Sequence, residues 1–347
     1  MARYAIARLG STVAMFFAVT LFVFVAFHAL PRDVGARRAA RDAALHGSLL
    51  GAYAHYVWRI VGHGDFGASF DDRERVTSRL FGAAPVTLSL VAGGLVVWLV
   101  VSTALGLLAA LRPRSLLDRA ATVFVLLGLS VHPVWLSLML SYVFGHELHV
   151  LPASGYCTIS NLSTGCDGLA RWASHLVLPW LAFGLVNAAL FTTMVRALVV
   201  EELREDYVRT ARAKGAGPLR IVRAHLLRNV LLPLSTMLGI TAGTSLAGVV
   251  FVESVFDLPG LGNMLRQAAL RDDVPLVAGS VVFLALAIVV LNLLVDLSYG
   301  LANPRIAGAA GPSLRGRGHA LRQLHRIARR RAVAERAAGA HERALAP

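Results

Sequence analysis

Apolar runs of about 18 residues or more recur along this chain, and each is long enough to cross bilayer hydrocarbon as a helix. That repetition constrains the fold more than any other feature. Backbone groups in lipid must be satisfied internally, which leaves only helices or a closed barrel, and runs of this length select helices. With 56% hydrophobic residues and a mean hydropathy of +0.63, the chain is too apolar for an ordinary soluble domain. The formal charge of +14 is concentrated locally, because the segment after Ala302 holds ten arginines against two glutamates. Arginine beside lipid headgroups accounts for this balance, and nucleic acid is not implied as a partner.

The predicted spans are Leu9–Leu30, Pro85–Leu111, Ala120–Phe144, Trp172–Val200, Leu231–Val252 and a last one from Asp273 to about Tyr299. The first run competes with a cleaved signal peptide, but its length exceeds a signal h-region. Arg3 and Arg8 before it, and Arg112, Arg114 and Arg119 after the second, place both flanks on the inner side. His132-Pro133 falls inside the third span, where neighbouring helices can satisfy a freed carbonyl. His132 has no partner at metal-ligand spacing, and His146-Glu147-Leu148-His149 lacks the spacing that sets two histidines on one helix face. Asn187 is polar at membrane depth, which fits either the lining of a solute route or a helix–helix bond. Ser235, Gly239, Gly243 and Ala247 repeat every fourth residue, a stripe that lets another helix come close.

The most charged interior stretch runs from Tyr207 to Pro233, between two apolar runs. Ala211-Arg212-Ala213-Lys214-Gly215 followed by Pro218 reads as a helix, a glycine turn and a second helix begun by proline. Arg209, Thr210, Ala211, Arg212, Ala213, Lys214 and Gly215, then His225, Leu226, Arg228, Asn229 and Leu232-Pro233, resemble the EAA loop of ABC-importer permeases in the dipeptide/oligopeptide/nickel family. Arg209-Thr210 stands where that loop usually has Glu-Ala. The resemblance implies a coupling helix seated in a groove of an ATPase subunit, with Arg209 to Ala216 as the docking segment and Lys214 or Arg212 meeting acidic groups. Charge alone would equally suit a loop whose arginines only fix orientation.

Three further phrases resemble the same family. Gly64-Asp65-Phe66-Gly67-Ala68-Ser69 matches its external-loop motif, Leu151-Pro152-Ala153-Ser154-Gly155 recurs in it, and Glu253 through Gly262, ESVFDLPGLG, matches its signature. Without the resemblance, the glycines and Pro259 say only turn. With it, Asp65, Gly67, Ser69, Glu253, Pro259, Gly260 and Gly262 are candidates for shaping the external mouth. Pro31-Arg32-Asp33 and Asn303-Pro304-Arg305-Ile306 depart from the family's wording at each end, and the latter loses an acid. Cys157 and Cys166 lie in the loop expected outside, where an oxidising compartment favours a disulfide; two unpaired thiols are the alternative.

Lys214 is the only lysine, and Gly215 follows it, so no Gly-rich loop ending in Lys-Ser or Lys-Thr exists to bind ATP. No serine sits in a Gly-x-Ser-x-Gly turn. An ion-driven secondary transporter would need paired acids or broken helices at depth, and the spans offer few such charges. A membrane-embedded enzyme or scaffold would need clustered histidines or acids there.

Run lengths and charge asymmetry predict an all-α membrane protein of six transmembrane helices with both termini cytoplasmic, and the resemblance implies type I ABC-importer permease architecture. Its expected parts are an N-terminal span at 1–30, an external loop region at 31–81, and a five-span core at 82–306 with a coupling hairpin at 201–229. A basic tail at 307–347 comes last, either flexible or a helix on the inner leaflet. The resemblance implies a non-enzymatic permease subunit in the bacterial inner membrane, in contact with lipid. It would work with a second homologous permease, two ATPase subunits that use ATP and Mg, and an external solute-binding protein. No cofactor or metal is expected on this chain. Peptide, nickel chelate or another small solute all fit as cargo.

Overall fold

The computed structural model describes residues 2–29, 49–158, 166, 168–222 and 227–302. Residues Leu9–Tyr299 form one compact unit. Among the described residues every regular element is helical. In chain order they are α1 (Ala2–Ala29), α2 (Leu49–His63), α3 (Val76–Leu111), α4 (Leu116–Ser130), α5 (Pro133–Leu140) running into a π-helical turn (Ser141–Glu147), and α6 (Leu169–Glu202). Then come α7 (Asp206–Ala213), α8 (Pro218–Ile221), α9 (Leu227–Val255), α10 (Leu261–Leu270) and α11 (Val274–Ala302).

Among the described residues, α3 and α6 are long and apolar enough to cross a membrane, and the bent pair α4–α5 makes a third candidate if taken as one span. The third predicted span, Ala120–Phe144, falls on this bent pair, in which α4 and the α5 segment meet at 108°. The cause is local. The residue before a proline is pushed out of the helical region, and His132 sits at φ −73°, ψ 142°. His132 then caps α5 by accepting a hydrogen bond from Val134 N–H at 3.3 Å, and its ring lies edge-on to Phe251. The 31–81 region also differs from a plain polar loop, since α2 lies within it and α3 begins at Val76, ahead of Pro85.

The packing centre is the parallel pair α3 and α6, with α9 running antiparallel beside them. Two apolar clusters fill it. Val86 and Leu90 meet Leu178, Ala182, Phe183, Val252 and Phe256 toward one end. Trp98 and Ala110 meet Phe191, Val195, Val199, Val230 and Leu234 toward the other. Glycines set the approach. A Cβ on Gly184 would lie 2.6 Å from the Val97 side chain and 2.9 Å from Gly94 O, and one on Gly94 would lie 2.5 Å from the Phe183 ring. Close approach through small residues replaces the missing hydrophobic drive between helices in lipid. The surroundings of Ser235, Gly239 and Gly243 lie outside the described residues, and Ala247 is exposed. Asn187 makes a helix–helix bond: it accepts a hydrogen bond from Ser245 Oγ of α9 at 2.5 Å, and its amide donates to Phe183 O.

Candidate functional site

Two groups of sequence-predicted residues sit at opposite ends of the α3–α6–α9 bundle. At the end where α6 finishes and α9 begins, α7 and α8 form the helical hairpin. Gly215 has a φ of +78°, a left-handed conformation that L side chains resist. Ala216 N–H donates to Ala211 O at 3.0 Å and Gly215 N–H to Arg212 O at 2.9 Å, the paired bonds of a Schellman turn. Val208 of α7 is fully buried. Arg209, Thr210, Arg212, Ala213, Lys214 and Gly215 are exposed, while Ala211 and Ala216 are half-buried. Arg209 lies 3.7 Å from Asp206, one helical turn away, with both side chains in the open. The α3–α4 connection with Arg112, Arg114 and Arg119 lies at this same end, because Arg196 near the end of α6 holds Asp118 of α4 at 3.0 Å. His225 and Leu226 lie outside the described residues.

At the other end, the ESVFDLPGLG stretch folds back so that Glu253, the last-turn acid of α9, caps the start of α10. Its carboxylate accepts hydrogen bonds from Gly262 N–H (2.7 Å), Asn263 N–H (3.0 Å) and Thr87 Oγ1 (2.6 Å). Thr87 in turn accepts from Leu261 N–H at 2.8 Å. The first three N–H groups of α10, which no helical carbonyl can reach, are thereby all satisfied. An acid at a helix N-terminus also meets the positive end of the helix dipole. This explains the glycines. A Cβ on Gly260 would collide with the Glu253 carboxylate, and one on Gly262 would lie 2.6 Å from the Val250 backbone. Pro259 stays exposed on the turn. Glu253 itself is fully buried.

The Gly64–Ser69 motif forms a second lock beside the first. Gly64 (φ +60°) and Gly67 (φ +93°) both take the left-handed conformation. Between them, Asp65 accepts from Gly67 N–H at 2.8 Å and pairs with the Arg59 guanidinium at 2.5 Å. Partial burial pushes the Asp65 carboxyl up. The Gly67 N–H, the Arg59 hydrogen bond and the charges of Arg59 and Arg75 outweigh that and hold its pKa below the usual carboxylate range. Ser69, buried, donates to Asp273, and Phe70 N–H donates to the same carboxylate at 3.1 Å. Asp273 also caps α11 through Leu276 N–H at 3.4 Å.

The two locks share one apolar cluster. Val76, Leu80, Leu261 and Leu276 are buried there with Phe66 against them. The Leu151–Gly155 phrase joins as well, since Gly155 N–H donates to Phe256 O at 2.8 Å. Cys157 and Cys166 are disulfide-bonded just beyond it, with Cα atoms 5.5 Å apart. Sequence reasoning missed Thr87 and Asp273 as partners of these motifs. Neither carries a local signal, because the bonds span 166 and 204 residues of chain. The rings of His146 and His149 are 6.3 Å apart. Among the described residues no group of three His, Cys, Asp or Glu is placed to hold a metal ion.

An apolar helical bundle with an exposed basic hairpin at one end and interlocked, self-capped turns at the other has the build of a membrane permease subunit. The chain belongs to the family described as binding-protein-dependent transport system inner membrane component, which it matches over residues 102–308. It is 34% identical to the dipeptide transport system permease protein DppB of Escherichia coli K12 over 336 residues, covering 88% of this chain and 99% of that protein. It is 35% identical to the di/tripeptide transport system permease protein DppB of Pseudomonas aeruginosa, covering 86% and 97%. A putative peptide permease of Brucella suis is 34% identical over 88% of this chain and 99% of its own. This chain is a transmembrane subunit of an ABC importer of the bacterial inner membrane, working with ATPase and substrate-binding partners.

Proposed function

We propose that this permease carries peptides and that the α7–α8 hairpin is the element gripped by its ATPase partners. The observation that carries the docking reading is the set of exposed side chains Arg209, Thr210, Arg212, Ala213 and Lys214, ending in the hydrogen-bonded Gly215 turn between the two long helices that flank it. The α7–α8 hairpin follows directly on α6 and leads into α9, so a push on α7 is passed along the chain to both. Lys214 and Arg212 meet acidic groups on the ATPase. ATP and Mg are bound by those partners, because this chain has no lysine other than Lys214 from which to build a phosphate loop. A second, related permease subunit completes the pathway.

The topology that fits is six spans with both termini in the cytoplasm. The arginines of the α3–α4 connection and of the hairpin share one end of the bundle, and cytoplasmic loops carry such charge. The Glu253 and Asp65 locks then lie outside, near the solute-binding protein, with the Cys157–Cys166 bond on the oxidising face. Peptide cargo is supported by the names of the relatives, which are dipeptide, di/tripeptide and peptide permeases.

Gly215→Trp tests docking. The variant is expected to insert normally, to lose copurifying ATPase subunits and to lose ATP-dependent uptake. Normal coupling of hydrolysis to uptake in that variant would overturn the assignment. Cargo is tested by identifying the compound retained on the purified solute-binding protein; a non-peptide would refute the peptide reading and leave docking untouched.

A further inference from the structure

The helix α2 packs along α1. One face, Tyr53, Tyr56 and Ile60, lies along α1. Tyr53 Oη donates to Phe17 O at 3.0 Å and lies 3.0 Å from Thr20 Oγ1. The Phe24 ring meets Tyr53 at 5.4 Å and Tyr56 at 5.7 Å, and Ile60 clusters with Val23 and Val282. Thr20 is fully buried and falls midway along the apolar run Leu9–Leu30. From Tyr53 to Ile60, α2 therefore climbs from the middle of α1 toward the Asp65 turn, where Arg59 marks its polar end.

A second face of α2 is apolar and uncovered. Leu50 (81% exposed), Trp58 (62%) and Val61 (66%), with Ala54 also exposed, recur at helical spacing. Over the same length, α1 exposes Phe17, Leu21, Phe22 and Val25. A row of large apolar side chains left open beside such a face marks an interaction surface.

We propose that α2 is a membrane-inserted helix, entering the outer half of the bilayer beside α1, with Leu50, Ala54, Trp58 and Val61 in contact with lipid acyl chains. Three observations choose lipid as the occupant. The helix that carries the stripe packs on α1, whose own exposed side chains over the same length are apolar; its partner residue Thr20 falls midway along the apolar run of α1; and its charged residue Arg59 is paired at the Asp65 turn. Trp58, one to two turns from that end, is placed where indole rings favour the membrane–water boundary. The proposal rests on α1 being a span in the six-span topology.

The test uses nitroxide labels on single substitutions Leu50→Cys, Ala54→Cys, Trp58→Cys and Val61→Cys. The assembled transporter is reconstituted in phosphatidylethanolamine–phosphatidylglycerol vesicles. Phe22→Cys on α1 serves as a lipid reference and Arg73→Cys as a water reference. Collision rates with oxygen and with a water-soluble nickel chelate are read by electron paramagnetic resonance. The expected oxygen-to-nickel ratio at the α2 positions is several-fold above that at 73 and close to that at 22. Ala54→Cys, the smallest change, carries the test if a larger replacement prevents insertion. Nickel access equal to that at 73 would put the stripe in water, facing a soluble partner. Low access to both reagents would put another protein subunit over it. Either result overturns the proposal, and a water-like signal at 22 as well would show that the α1 span failed with it.

Discussion

At the scale of single residues, the family signatures serve helix capping. Glu253 supplies the acceptor for two α10 N–H groups and the Thr87 hydroxyl. Glu253→Ala leaves those donors buried without partners, an expected cost of about 1–3 kcal/mol, with Glu253→Gln losing less. Thermal unfolding of the purified permease in detergent would show equal midpoints if the capping account were wrong. Asp65 makes a pH-dependent contribution. Its folded-state pKa is depressed, so the stabilisation is present above the unfolded value of about 3.9 and is lost as pH falls through the folded value. The Asp65 side chain is 44% exposed, so the gain at neutral pH is below about 1 kcal/mol. The stability gap between wild type and Asp65→Asn is expected to close on acidification below pH ~4 and to shrink in high salt. A gap that widens on acidification would contradict the sign.

At the scale of elements, α6 and α9 are joined by a polar contact inside an apolar interface. The Asn187–Ser245 hydrogen bond is expected to contribute about 0.6 kcal/mol, the usual size for such bonds between helices in a membrane. A double-mutant cycle of Asn187→Leu and Ser245→Ala, read by unfolding in mixed micelles, measures it directly. Additive effects would mean no coupling. The bend between α4 and α5 is legible in the pair His132-Pro133 once the rule for the residue before proline is applied, yet the apolar run across it reads as continuous. Hydropathy registers lipid compatibility and not chain direction, which is why one predicted span becomes two helices at 108°.

At the scale of the whole molecule, the hairpin and the motif locks lie at opposite ends of α3, α6 and α9. A membrane-impermeant thiol reagent applied to intact cells is therefore expected to spare Lys214→Cys and to label Arg73→Cys, with labelling of Lys214→Cys appearing only after the membrane is opened. Labelling at 214 from outside would invert the topology and remove the docking reading. The distance between the ends also bears on mechanism. A hairpin pushed at one end moves turns at the other only if the bundle is stiff. The glycine contacts of α3 with α6, such as Gly94 with Phe183 and Gly184 with Val97, supply that stiffness through close packing.

The sequence by itself determined the helical class, the membrane location, the hairpin with its glycine turn and the motifs that mark the family. Each of these depends on local pattern: run length in lipid, the left-handed tolerance of Gly215, the wording of a short phrase. Only the tertiary structure decided what the motif residues touch. Thr87 meets Glu253, Asp273 meets Ser69 and Tyr53 meets Thr20 across stretches of chain that no local pattern spans. In lipid, residues on both faces of a helix are apolar, so periodicity does not say which face packs. Steric fit between glycines and large side chains, and the need to satisfy each buried polar group, settle that choice.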